Sequence, residues 1–397
     1  MSEISQSPKT CLQVLPSLVS GGVERGTIDV AQALVKAGWR ALVVSEGGPL
    51  VRELDRAGAE HITLPLNTKN PLRVKENIAR IADVIRREKV TLVHARSRAP
   101  GWSAREAAKE TGVPFVTTFH GIYSLGPFGL KKFYNRVMAD GEIVIAVSNF
   151  VREHILENYQ TPADRIRVIH RGIDAAAYDE KAVTSTRLIQ VAQKWRLQDA
   201  GPVIMLPGRL TSLKGHDVLI DALAELKRRR GGVLDLRCLM VGQGSAGFGS
   251  RIMSHALTRH VDGNVQVIED CNDMPAAYMV TDVVVVASTR PEAFGRVIAE
   301  AQAMGRPVVA CSHGPTAEII IPGVTGWMFT ASDPVSLADA LERALSLTRD
   351  ERKHLAQLAS ERARALFNKQ EMCAKTLAVY DEVLARHAEL IRSERIG

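Results

Sequence analysis

Residues 290–303, RPEAFGRVIAEAQA, set two carboxylates, Glu292 and Glu300, around Ala293-Phe294-Gly295 and the opening of a helix at Arg296-Val297. A helix start offers unpaired backbone N–H groups and the positive end of a dipole, which suits a phosphate. Carboxylate oxygens accept hydrogen bonds and suit sugar hydroxyls. A ligand that needs both is a polyol joined to a diphosphate, which points to a nucleotide sugar. Upstream, Gly208-Arg209 and Lys214-Gly215 lie in GRLTSLKG, where two cations can flank one anion. A lysine gains nothing from a helix N-terminus that is already positive. Lys214 there indicates an anion shared with Arg209.

More motifs follow apolar runs in an ordered series. They are Gly21-Gly22-Val23-Glu24-Arg25, Phe119-His120-Gly121, Ser148-Asn149, Gly172-Ile173-Asp174, Gly242-Gln243-Gly244 and Thr325-Gly326. With GRLTSLKG and the spacing from Glu292 to Glu300, the series resembles the retaining glycosyltransferases of family 4, enzymes with the two-domain GT-B fold. The resemblance runs from about Gly21 to Tyr380. It implies that Arg209 and Lys214 hold the donor's diphosphate and stabilise charge on the leaving phosphate. It assigns Glu300 to the ribose hydroxyls and Glu292 to the sugar, with N–H groups near Phe294-Gly295 reaching sugar or phosphate. His120 would face the donor sugar as a hydrogen-bond partner. The implied catalytic set is His120, Arg209, Lys214 and Glu292. The implied donor set adds Gly21, Gly22, Gly208, Gly242, Ala293, Phe294, Gly295, Arg296, Val297 and Glu300.

Each of these residues has an ordinary alternative. Gly21-Gly22 is also a plain strand-to-helix turn, and it is not a GxGxxG dinucleotide fingerprint. A lone histidine is more often structural. Arg209 and Lys214 could be solvated loop charges, and Glu300 an exposed helical glutamate. The two glutamates do not read as a glycosidase pair, which must flank the scissile bond. Three positions depart from the family pattern. Arg171 stands where asparagine is usual, Gly314-Pro315 replaces a frequent Gly-Gly, and Ala293 replaces a frequent proline. The first two bear on the sugar or the acceptor.

No DxD triplet occurs, and no carboxylate set looks built for Mg²⁺ or Mn²⁺. Neither a metal nor a cofactor is expected. The five cysteines are scattered, without CxxC or a zinc spacing, and read as free thiols in a reducing cytoplasm. The N-terminal MSEISQSPKT has no apolar core of a signal peptide, and no apolar run approaches 18 residues. The expected location is cytoplasmic, with peripheral contact at the inner face of the cytoplasmic membrane as an extension. That extension rests on charge. Residues 1–200 hold 28 Lys/Arg against 21 Asp/Glu, while residues 201–397 hold 23 of each. The basic half includes Leu130-Lys131-Lys132-Phe133-Tyr134-Asn135-Arg136, a mixture that suits an interface. Aromatics make up 5% of the chain, too few for single-strand nucleic-acid stacking.

The elements that must position these groups alternate strand and helix. Strands are expected at 12–18, 41–45, 61–66, 91–94, 115–119 and 143–147, then at 203–207, 236–241, 265–268, 283–287 and 308–311. Helices fall between, among them 23–36, 74–88, 217–230, 247–260, 296–304 and 334–347. This order predicts an α/β protein with two doubly wound, Rossmann-like domains and a site in the cleft between them. The expected domains are 1–180 for the acceptor and 181–371 for the donor, with 175–200 as a linker region. A helix at about 372–392, carrying Tyr380, would cross back to the first domain. The function expected is sugar transfer from a nucleoside-diphosphate sugar, with retention, to a glycan or glycolipid acceptor, in envelope glycan or lipopolysaccharide synthesis. The alternatives are a nucleotide-sugar 2-epimerase and a non-catalytic binding subunit.

Overall fold

The computed structural model describes residues 8–19, 21–68, 70–198 and 201–396, with side chains to residue 393. The chain forms two compact units, Met1–Gly172 with Lys369–Gly397, and Ile173–Asn368. The sequence placed these boundaries at 180/181 and 371/372. The divide sits earlier because Ile173 N–H donates to the Phe367 carbonyl at 2.7 Å and Ile173 pairs with Asn368. Both chain crossings are fixed by that contact.

The first unit holds β1 (Thr10–Val14), β2 (Arg40–Ser45), β3 (Glu60–Thr63), β4 (Leu92–Ala95), β5 (Phe115–Phe119), β6 (Ile143–Ala146) and β7 (Ile166–Val168). They form one parallel sheet in the order β3-β2-β1-β4-β5-β6-β7. The second unit holds β8 (Val203–Pro207), β9 (Arg237–Val241), β10 (Val265–Ile268), β11 (Val283–Val286), β12 (Val308–Cys311) and β13 (Trp327–Phe329). Its parallel order is β10-β9-β8-β11-β12-β13. Buried Val, Ile and Leu runs suit strands covered on both faces. In each sheet the order reverses beside the first strand, between β1 and β4 and between β8 and β11. Ligands of such sheets bind at that reversal, beyond the carboxyl ends of the strands.

One expectation is corrected, and the structure adds elements that the sequence did not mark. The stretch 175–200 is not a featureless linker, since it contains the helix Ser185–Lys194, capped by Thr184 and joined to the second unit by Arg187–Asp273 at 2.6 Å. None of the helix's own residues is fully buried, although Leu188, Val191 and Ala192 are half-buried along one face that leads to the buried Trp195. The short strands β7 and β13, three residues each, lie at sheet edges and carry too little pattern to be read. The C-terminal region is two helices, Arg349–Leu366 and Lys369–Ile396. Cys11, Cys238, Cys311 and Cys373 are buried, and all five cysteines are free.

The helix Lys369–Ile396 belongs to the first unit, as the crossing expectation required. Tyr380 is fully buried, and its hydroxyl meets His94 Nδ1 on β4 at 2.5 Å. His94 Nε2 meets Thr118 Oγ1 on β5 at 2.8 Å. Lys9–Asp381 at 2.6 Å and Arg167–Glu382 at 2.5 Å flank the contact. Burial, with help from the Arg96 charge, holds His94 well below the ordinary histidine value and keeps it neutral. Tyr380→Phe leaves a buried ring nitrogen unpaired. The expected loss is about 1–3 kcal/mol, seen as a lower urea midpoint for the first unit with an unchanged slope.

Candidate active site

Gly208 and Arg209 follow β8, and Gly242 follows β9. Gly242 has φ +151°, and a Cβ there would lie 1.9 Å from the Gly208 carbonyl oxygen. Gly208 N–H donates to Val241 O at 2.9 Å, and Leu210 N–H to Gln243 O at 2.8 Å. The two loops therefore pack backbone on backbone. Glycine at 242 is required for that approach, whatever part it has toward a ligand. Gly208, at φ +148°, leaves room for the Lys214 stem, whose Cε would be 3.2 Å from a Cβ at that position.

Lys214 ends a short 3₁₀ turn, Ser212–Lys214. The next residue, Gly215, has φ +72°, and a Cβ on it would fall 1.9 Å from the Ala287 carbonyl oxygen just beyond β11. Thr289 N–H also donates to Leu213 O at 2.9 Å. These approaches pin the turn against the end of β11 and deliver Lys214 to Glu292. Lys214 Nζ and Glu292 Oε1 are 2.6 Å apart, and Ser288 Oγ donates to the same oxygen at 2.5 Å. Burial pushes the Glu292 carboxyl up, but the Lys214 charge and the hydrogen bonds from Lys214 and Ser288 bring it below its usual value. About a quarter of each side chain stays exposed. Arg209 is exposed and pairs with no carboxylate among the described residues. Lys214 and Arg209 thus share a turn, but only Lys214 is held.

The helix Arg296–Ala303 opens after Gly295, which is left-handed at φ +92°. Its first N–H groups, at Arg296 and Val297, lie where an α-helix makes no internal bonds. Ala293 and Phe294 lead into it. Phe294 is buried with its ring 5.2 Å from that of Phe367, so its side chain anchors the loop. Glu300 is buried, 7% exposed, which excludes the exposed-helix alternative. Tyr278 donates its hydroxyl to Glu300 Oε2 at 3.2 Å, and Arg296 Nη2 donates to Oε1 at 2.9 Å. Burial and the neighbouring carboxylate raise the Tyr278 phenol well above its ordinary value, so it stays a donor. Three groups that the sequence did not single out complete this site, Ser288, Tyr278 and His313, and Gly215 proves to be a steric device. His313 lies close enough to Glu292 to lower its carboxyl, and its Nε2 is buried without a partner. The run HGP around it carried no signal beyond the Gly-Pro departure.

In the first unit, Gly21 and Gly22 follow β1, where Gly21, at φ +135°, precedes the helix Gly22–Lys36. His120 follows β5. Arg171, just beyond β7, is 7% exposed. It donates from Nη2 to the Gly22 carbonyl and from Nη1 to His120 Nδ1, the latter at 3.2 Å. Three motifs from distant sequence are thereby joined. Gly26 makes room for this, since a Cβ on it would stand 2.7 Å from Arg171 Nη2. Arg96, beyond β4, is also buried and donates from Nε to Gln13 Oε1 at 2.7 Å. Burial and then the charges of Arg171 and Arg96 hold His120 well below the ordinary histidine value.

Residues 20–177 match the model of Glycosyltransferase Family 4, and residues 190–362 match that of Glycosyl transferases group 1. The D-inositol 3-phosphate glycosyltransferase of Salinispora tropica is 28% identical over 93% of this chain and 82% of its own length. The crystal structure of a glycosyltransferase from Rickettsia africae is 38% identical, with a TM-score of 0.86, over 96% of this chain and 99% of that one. Anabaena HepE in complex with UDP is 22% identical with a TM-score of 0.80, over 94% and 100%. The last is a likeness of fold. A relative 38% identical along nearly the whole chain, with the two family models matching one after the other, settles the kinship: the chain belongs to the family 4 glycosyltransferases, of GT-B fold.

Proposed function

We propose that this glycosyltransferase moves a sugar from a nucleoside-diphosphate sugar to its acceptor with retention of configuration and without a metal ion. The observation that carries the reading is the Lys214–Glu292 contact, four residues before the start of the helix Arg296–Ala303. Lys214, the exposed Arg209 and the first N–H groups of Arg296–Ala303 offer positive charge to a diphosphate. When the diphosphate takes the ammonium, Glu292 is freed to accept sugar hydroxyls. Glu300, held by Tyr278 and Arg296, keeps acceptor capacity for ribose. HepE, of the same fold, has been solved with UDP-glucose, which supports this donor class.

The step consistent with these groups is a front-side displacement. The glycosidic bond breaks and its electron pair leaves on the phosphate. The acceptor oxygen bonds the anomeric carbon from the same face, and its proton passes to the departing phosphate oxygen. Fixed cations stabilise the charge that builds there. Among the described residues no three His, Cys, Asp or Glu are grouped to hold a metal.

The first unit would take the acceptor, with envelope glycan, lipopolysaccharide or glycolipid synthesis as the setting. Support comes from the surface around the helix Leu130–Arg136. Phe128 is fully exposed, and Leu130 and Phe133 are mostly so, beside Lys131, Lys132 and Arg136. No described helix is long and apolar enough to cross a membrane. Peripheral contact with an anionic surface fits this patch.

A panel of labelled nucleotide sugars tests the reading, with the released sugar identified to separate transfer from epimerisation. In that assay Glu300→Gln weakens donor binding, by about tenfold for the loss of a charge-assisted hydrogen bond worth about 1.5 kcal/mol. Unchanged donor affinity and turnover in this variant overturn the ribose assignment. Activity is expected to survive EDTA; complete loss restored by Mn²⁺ refutes the role given to Arg209 and Lys214. Phosphatidylglycerol vesicles should float the protein at low salt and release it at high salt, because charges contribute about 1 kcal/mol each near such a surface and are screened within about 8 Å. Equal binding to neutral vesicles, or none at low salt, makes the charge asymmetry a solubility feature.

A further inference from the structure

Arg171 departs from the asparagine usual at its position, and its surroundings show what it does. The residue is 7% exposed, and its guanidinium bonds include one to Gly22 O, at a helix start, and one to His120 Nδ1, beyond β5. A guanidinium carries five N–H donors and no acceptor, and it stays charged. The 3.2 Å contact with Nδ1 is therefore a hydrogen bond only if Nδ1 presents its lone pair. A neutral imidazole has one proton, so that proton sits on Nε2. Nε2 is buried and meets no partner among the described residues. A buried N–H without an acceptor is costly, and an oxygen from a ligand relieves it.

The groups that act on the ring all disfavour a second proton. Arg171 faces it from beyond β7, Arg96 from beyond β4, and His94 from β4 itself. A doubly protonated ring would also turn an N–H toward the Arg171 guanidinium. Gly26 is part of the arrangement. A glycine inside a helix is unfavourable relative to alanine, and here it leaves the space that Arg171 Nη2 occupies.

We propose that Arg171 is a positioning residue that holds His120 as a neutral, Nε2-protonated imidazole, so that His120 gives substrate a hydrogen bond and does not take a proton from it. This deepens the transfer reading and rests on it only where turnover is measured. The protonation pattern itself can be read without any substrate.

The test uses the full chain labelled with ¹⁵N-histidine, the His120 signals being identified by their loss in His120→Gln. The wild-type protein should show an unprotonated Nδ1 and a protonated Nε2, unchanged across the range of about pH 5 to 8 in which an ordinary histidine titrates. A protonated Nδ1, or titration within that range, overturns the proposal. Arg171→Lys keeps a cationic donor and should preserve the pattern. Arg171→Met keeps the length and removes the donor. In that variant the ring stays neutral through its burial, but with the donor to Nδ1 gone it should populate the other tautomer. Its kcat should fall about ten- to a hundredfold, the scale seen when an outer partner of an active group is removed, with little change in KM. Arg171→Lys should recover turnover relative to Arg171→Met. A folded Arg171→Met protein that keeps the wild-type ¹⁵N pattern overturns the proposal even if its turnover drops, because Arg171 is then a packing residue only.

Discussion

Lys214 and Glu292 lie 78 residues apart in sequence and 2.6 Å apart in space, and the loops of the second unit are shaped to let them meet. A partly buried carboxylate needs a charged or hydrogen-bonding partner, because removal from water is otherwise costly. Ser288 and Lys214 supply that on one oxygen of Glu292. The backbone follows. Gly215 comes against Ala287 where no other residue could, and Gly242 comes against Gly208 in the same way. The ends of β8, β9 and β11 are thereby drawn together at the point where strand order reverses.

The first unit solves a similar problem with different parts. Its β1, β4, β5 and β7 ends gather two buried arginines and two histidines. Neutral oxygens and an imidazole nitrogen satisfy the guanidinium N–H groups named above, and the histidines respond by staying neutral. The chemistry thereby left to this edge is that of hydrogen-bond donation. The Tyr380–His94 contact ties the same strands to the C-terminal helix, so the last residues of the chain fix the register of groups near its beginning.

Much of this was legible in the sequence. The runs at 203–207, 265–268 and 308–311 became β8, β10 and β12 with those bounds, because strands buried on both faces read as unbroken apolar stretches. Gly38 and Gly112 close their helices at positive φ, as C-terminal glycines do. The helix before Gly112 was marked by that glycine but given no bounds, since Arg98–Thr111 buries Gly101, Ser103, Ala104, Ala107 and Ala108 in place of large apolar residues. At the candidate site, Glu292, Lys214 and Glu300 are the residues that type and spacing single out, and the structure sets Lys214 against Glu292 and buries Glu300. Ser288, Tyr278 and His313 were not singled out, because nothing local distinguishes a serine after a strand or a tyrosine in a short helix. The link from Arg171 to His120 is also invisible to spacing. Arg171 showed only as a departure from the family pattern, and Gly26, a glycine inside a helix with no turn to make, passed without notice.

The pairing in the second unit carries a consequence for the order of events. On the proposed reading, the carboxylate that receives sugar hydroxyls is also the counter-ion of the lysine that receives phosphate. A neutral sugar offers Lys214 nothing in exchange for Glu292, and separating the pair without a replacement leaves two poorly solvated charges. A diphosphate offers more negative charge than the carboxylate it displaces, along with oxygens for Arg209 and the helix start. Recognition of the sugar is then coupled to recognition of the diphosphate through one side chain. Once transfer is complete, the nucleoside diphosphate that remains still holds Lys214. Only its departure lets Lys214 and Glu292 return to each other, so the pair that shapes the site also favours release of the spent donor.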